Sequence, residues 1–201
     1  MSQTKLDPRL LDTAVALPAM SGAALTGLAS DFVLLATNTP STASTSDFTA
    51  FDNSTYSSYI FHFLNIKPGT NGSAFMLRTS TDGGSSYDTS GYKYVHHGYN
   101  TAGNEERDYS ESAAGVYITS ANNWGGASNE SLSGEVKLFN ASASEYTKIT
   151  GTVSYDDDQA GLYLCNASIT GERSSAADVD AVQFLSTSGT VTGTIKMYGV
   201  K

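Results

Sequence analysis

A single cysteine, Cys165, in 201 residues excludes an internal disulfide and any metal site built from several thiolates. Its place in the apolar run LYLCNASI suits a buried, inert thiol. Lysine and arginine are also scarce, eleven against twenty Asp and Glu, which leaves a formal charge of −9 at pH 7. The few cations are spread along the chain, whereas binding a phosphate backbone needs them clustered, so no nucleic-acid partner is expected. Long apolar runs are missing: nothing approaches the roughly 20 residues of a membrane-spanning helix. The opening MSQTKLDPRLLD carries charges where a secretory leader needs an uninterrupted apolar stretch. A product made in the cytoplasm that does not insert into membranes is the expectation. The sequence also lacks Gly-x-Ser-x-Gly, His-Glu-x-x-His and the phosphate-binding loop pattern. Five N-x-S/T sequons, at Asn53, Asn71, Asn129, Asn140 and Asn166, follow from the abundance of Ser and Thr.

What is present changes texture near residue 30. Apolar residues make up 39% of the chain, enough for one domain with a real core. In LDPRLLDTAVAL, Asp7 is an N-cap, Pro8 suits a first helical position, and Leu10, Leu11, Ala14 and Val15 recur at helical spacing until Pro18. The spacing predicts a helix of two or three turns over 8–16, too short to be stable alone. Residues 17–30, LPAMSGAALTGLAS, then read as an extended arm of small residues with Leu17, Leu25 and Leu28. Residues 1–30 are therefore expected to be a docking or oligomerisation arm, with packing on its own domain as the competing use, and 31–201 a separate domain.

Beyond residue 30 the period is two. SYIFHFLNI places Tyr59, Phe61 and Phe63 on one face and Ile60, His62, Leu64 and Ile66 on the other, which predicts a central strand with two apolar faces. AFMLRTS, EVKLFN, TKITGTVSY, GLYLCNASI, VDAVQFL and TVTGTIKMYGV repeat the rhythm. Turn clusters such as KPGTNG, TDGGSS, NNWGGASN, DDDQAG and STSG separate them. Eight to ten short antiparallel strands predict an all-β fold, an antiparallel β-sandwich of jelly-roll or lectin-like kind, preceded by the short helix and the arm.

Three segments carry a family likeness: the arm Leu17–Leu28, of the form LPA-x-x-G-x-x-LTGL; STDGGSSYD at Ser80–Asp88; and GTIKMYGVK at Gly193–Lys201. In their order and spacing the chain resembles a class of tailed-bacteriophage virion proteins. The resemblance implies a non-enzymatic structural component of the particle, a tail-fibre, baseplate or head-appendage protein with roles in assembly and host attachment. It also implies a homo-oligomer, with a trimer favoured, joined to other virion proteins through the arm.

Sites of chemistry are sparse. Asp156, Asp157 and Asp158 are consecutive, whereas a calcium loop alternates its ligands, so an acidic turn is the simpler reading and no metal is expected. His96 and His97 are adjacent and, in a strand, point to opposite faces. Glu105, Glu106, Asp108 and Glu111 in NEERDYSE read as a mobile loop rather than the rigid carboxylate pair of a glycosidase. No cofactor and no catalysis are expected. Carbohydrate binding needs aromatic faces with amide partners. The candidates are Trp124 with Asn122 and Asn123, together with Tyr87 and Tyr99, while Tyr92 and Tyr94 add aromatic surface. Trp124 either presents its face to a host surface glycan or closes the end of the core; the sequence fits both.

Overall fold

Alternating apolar and polar side chains leave one face of each segment in need of cover, and antiparallel pairing of many short strands supplies it. The computed structural model describes residues 31–121, 123–142, 144–158 and 163–201. The helix predicted over 8–16, the arm residues Leu10, Leu11, Val15, Leu17, Leu25 and Leu28, and Asn122 lie outside the described residues.

Twelve strands follow in chain order: β1 (Phe32–Asn38), β2 (Thr45–Phe48), β3 (Ser58–Pro68), β4 (Phe75–Ser80), β5 (Tyr92–Asn100), β6 (Glu105–Ala113), β7 (Val116–Tyr117), β8 (Leu132–Phe139), β9 (Lys148–Asp156), β10 (Leu164–Arg173), β11 (Ala181–Ser186) and β12 (Val191–Val200). Eight form one antiparallel sheet in the order β1-β12-β3-β8-β9-β10-β5-β6, and four form a second in the order β2-β11-β4-β7. The predicted all-β sandwich is what the chain folds into. Residues 31–201 make one compact unit, and among the described residues no helix is long and apolar enough to cross a membrane.

The inner faces meet through aromatic rings. Phe61 and Phe63 of β3 approach Phe184 of β11 at centroid distances of 5.0 and 5.2 Å, and Phe63 lies 5.3 Å from Phe75 of β4. All three contacts are edge-on, the arrangement that sets a ring's positive rim against its neighbour's negative face. Around them pack Leu77, Val136, Ile149, Val153, Ile195 and Met197, all fully buried. Cys165 is buried too, and burial pushes its thiol up to about 12, in keeping with the inert role expected of it.

β3 is central, as predicted, lying between β12 and β8, but its two faces are not equivalent. Tyr59, Phe61 and Phe63 fill the core while His62 and Leu64 face outward, Leu64 with 44% of its surface exposed. Ile66, expected on the outer face, is fully buried instead. The pairing of β3 with β8 shifts between Phe63 and Ile66, where Asn65 adopts φ 52°, and this bulge exchanges the two faces. Gly193 lies beside it with φ 139° at the shift in the β12 pairing; a Cβ there would stand 2.6 Å from the Asn65 carbonyl oxygen. Only glycine meets both demands.

The two ends of the large sheet differ. β1 and β12 are neighbours, Phe32 opposite Val200, and the Lys201 amide donates to the Asp31 carbonyl at 3.0 Å. At the other edge lies β6, the segment NEERDYSE that the sequence suggests is a loop. Its charges, unusual in a strand, are tolerated because an edge strand has one unpaired side, and there they discourage pairing with another chain.

Candidate functional site

The hairpin of β5 and β6 is built around Asn100. Its side-chain oxygen accepts from the amides of Ala102 and Asn104 at 3.0 and 3.1 Å, and Gly103 supplies the positive φ that the turn requires. The tight turn sets the cross-strand partners and sorts the side chains of both strands by face. Inward go Tyr92, Tyr94 and His96; outward go Lys93, Val95, His97 and Tyr99, opposite Glu105, Arg107 and Tyr109.

Some of the outward residues line an open groove of about 730 Å³ on the outer face of the large sheet, bounded by Lys93, Val95, Arg107, Tyr109, Lys148 and Glu172. Cross-strand rows explain its chemistry. Lys148, Glu172 and Lys93 stand side by side on β9, β10 and β5, and both lysines pair with the one carboxylate, Lys93 at 3.8 Å. In the next row Thr150 and Thr170 lead to Val95 and Tyr109, which are 52% and 66% exposed. The third row runs from Thr152 through Ser168 and His97 to Arg107, and of these Arg107 borders the groove. The groove therefore offers the hydroxyls of Ser110 and Thr170, an aromatic ring with an apolar neighbour, and the cations Lys93, Arg107 and Lys148.

A second, smaller cleft of about 400 Å³ lies beyond the turn, lined by Asn100, Asn104, Glu106, Ser120, Asn123 and Tyr163. Glu106 is held between two amides: its carboxylate oxygens accept from Asn100 Nδ2 and Asn123 Nδ2, each at 3.0 Å. One carboxylate lines this cleft. The neighbouring Asp108 instead opposes His96 across the ladder.

The predicted glycan residues do not converge. Trp124 is fully buried: its ring lies 5.2 Å from Phe75, and its backbone bridges Ser73 and Asp157, so it closes the sandwich end and presents no face to a sugar. Asn123 reaches the small cleft. Tyr87 is half-buried, its hydroxyl group enclosed, and burial raises it to about 12 with help from Asp47, Asp180 and Asp82. Tyr99 stands on the outer sheet face, 53% exposed. Tyr92 and Tyr94, read as surface, are core; the Tyr92 hydroxyl takes the Thr79 amide at 2.7 Å. The hairpin strands bury Tyr92 and Tyr94 because their alternation begins at Tyr92, one residue after the turn glycine Gly91.

The acidic and histidine motifs also find places. Asp156 and Asp157 accept from the amides of Ser131 and Tyr163, each at 2.9 Å, bracing the turn. Among the described residues no group of three or more His, Cys, Asp and Glu is placed to hold a metal ion. In STDGGSSYD, Asp82 accepts from the Ser86 hydroxyl and amide and from the Ser80 hydroxyl, which lowers it to about 2. His97 is exposed and bonds Glu105 at 3.1 Å. His96 is fully buried with Asp108, Tyr155 and its neighbour His97 nearby, and burial lowers it to about 4.

This histidine carries a pH prediction. The folded ring stays neutral, so the unfolded chain takes up the proton first, near pH 6.5. Stability from this source is complete above that value and is lost as the pH falls towards about 4. The loss amounts to roughly 3 kcal/mol at the acid limit. Urea midpoints of the native chain should fall more steeply between those pH values than those of His96→Met. Parallel profiles would show that the ring is charged in the fold.

Comparison with sequence-family models, with characterised proteins and with solved structures finds no match to this chain.

Proposed function

We propose that this chain is a non-enzymatic component of a tailed-bacteriophage particle whose β-sandwich recognises a saccharide on the host surface. In this reading residues 1–30 dock the protein to other virion proteins or to sister subunits of a homo-oligomer, and the outer groove of the large sheet faces the host. The family likeness of Leu17–Leu28, Ser80–Asp88 and Gly193–Lys201 supports the particle. The recognition role rests on one observation, the open groove in which exposed Tyr109 sits between hydroxyl and cationic side chains. A flat aromatic face accepts the C–H surface of a sugar ring, and the fixed polar groups around it take the hydroxyls.

Glycan-array binding of the full chain tests the reading. Tyr109→Ala should weaken the best saccharide by about tenfold or more while shifting the melting temperature little, since the ring is mostly in solvent. A full chain that binds no glycan would remove the recognition role.

A further inference from the structure

We infer that the outer groove selects acidic saccharides, and that Arg107 is the residue that reads the ligand's carboxylate. This rests on the groove being a saccharide site and adds which saccharides it takes.

The starting point is the state of the three cations. Lys93 and Lys148 share Glu172, so each already has a carboxylate beside it. Arg107 has no ion pair among the described residues; its guanidinium carbon lies over the ring of Tyr109, 5.9 Å from the centroid. His97, opposite Arg107 on β5, is engaged by Glu105. In a chain of net charge −9, the groove cation that lacks a counter-charge among the described residues therefore stands beside the groove's exposed aromatic face.

A guanidinium held against a ring keeps its outer N–H fork turned to solvent, where it matches a carboxylate in two parallel hydrogen bonds. The ligand that uses both features carries a carboxylate directly on a ring whose face lies on Tyr109, as a uronic or nonulosonic acid does. The remaining lining separates this ligand from an acidic peptide. Glu111 and Glu172 also border the groove, as does Thr170. These carboxylates accept hydrogen bonds from sugar hydroxyls, whereas an acidic peptide side chain has no hydroxyl to offer and is repelled by them.

Titration calorimetry on the full chain decides the matter, using a glucuronate-containing oligosaccharide, its glucose counterpart of the same length and linkage, a glutamate-rich peptide and inorganic sulfate. The acidic oligosaccharide should bind at least about tenfold tighter than the neutral one, and its advantage should shrink as salt rises from about 50 to about 500 mM. Arg107→Gln should abolish that preference, bringing the ratio of acidic to neutral affinity to about one with the melting temperature unchanged, and Arg107→Lys should restore only part of it. Equal binding of the two oligosaccharides, or a preference untouched by Arg107→Gln, overturns the inference and leaves the saccharide site standing. Tighter binding of the peptide or of sulfate alone overturns it in favour of a simple anion site. No binding of either oligosaccharide ends both readings.

Discussion

Phe61→Asp should leave no folded protein. The ring is fully buried at the middle of β3, its centroid 5.4 Å from that of Phe48 and 5.0 Å from that of Phe184, so it joins the large sheet to two strands of the small one. Removing a buried phenylalanine costs about 3–5 kcal/mol through lost transfer energy and the cavity left behind. The carboxylate that replaces it would stand among the rings of Phe48, Phe51 and Phe184, and an uncompensated buried charge adds several kcal/mol more. Together these match the whole stability of an ordinary domain, about 5–15 kcal/mol. Near-ultraviolet circular dichroism and a urea titration of whatever soluble protein is recovered provide the measurement. A cooperative transition with the native aromatic signal would mean that β3 does not lie under the second sheet. Phe61→Leu separates this from poor expression, since a hydrophobic replacement should fold with a loss of only about 1–2 kcal/mol.

Trp124→Ala should be the next most damaging change, at about 3–5 kcal/mol, because the largest fully buried ring would leave a void behind Phe75 at the sandwich end. For a domain of this size that is a fall in melting temperature of roughly 10 °C or more. The indole nitrogen makes no hydrogen bond among the described residues, so Trp124→Phe removes no polar contact and should recover most of the loss. An alanine variant that melts like the parent would return the ring to the surface, and with it the sugar-stacking role that its burial denies.

How legible the molecule is in its sequence depends on how local each cause is. The strands β8, β9 and β12 are plain in the alternation of Val136 with Leu138, of Ile149 with Val153 and Tyr155, and of Ile195 with Met197, since each buries every second residue. Ile66 is misread because a period-two count carries straight through a bulge, and Asn65 signals one only once Gly193 on the neighbouring strand is known to lie against it. β6 is hidden by its own charges: Glu105, Glu106, Arg107 and Asp108 look like solvent-exposed loop until the turn at Asn100 pairs them with β5. The groove inherits that concealment. Its cations come from three strands separated by as many as 55 positions, Lys93 to Lys148, and only sheet order brings them together. Trp124 shows the opposite limit. A tryptophan in a glycine-rich loop fits a sugar platform or a core plug equally well by composition, and the bridges to Ser73 and Asp157 that decide the matter are contacts across the chain.

The meeting of Asp31 and Lys201 at one edge of the large sheet has a mechanical consequence. A pull transmitted through the chain at residue 31 acts on the end of β1, where the pairs with β12 must open one after another rather than slide together. The groove lies at the far edge, across strand spacings of about 4.8 Å each, or roughly 30 Å in all, so tension between the two points crosses the whole sheet. β1 should yield first and release its seven residues, about 24 Å of chain at 3.4 Å per residue, while the aromatic core between the sheets stays closed. Drawn on by residue 31 with a ligand held in the groove, the domain would lengthen at low force before it unfolded.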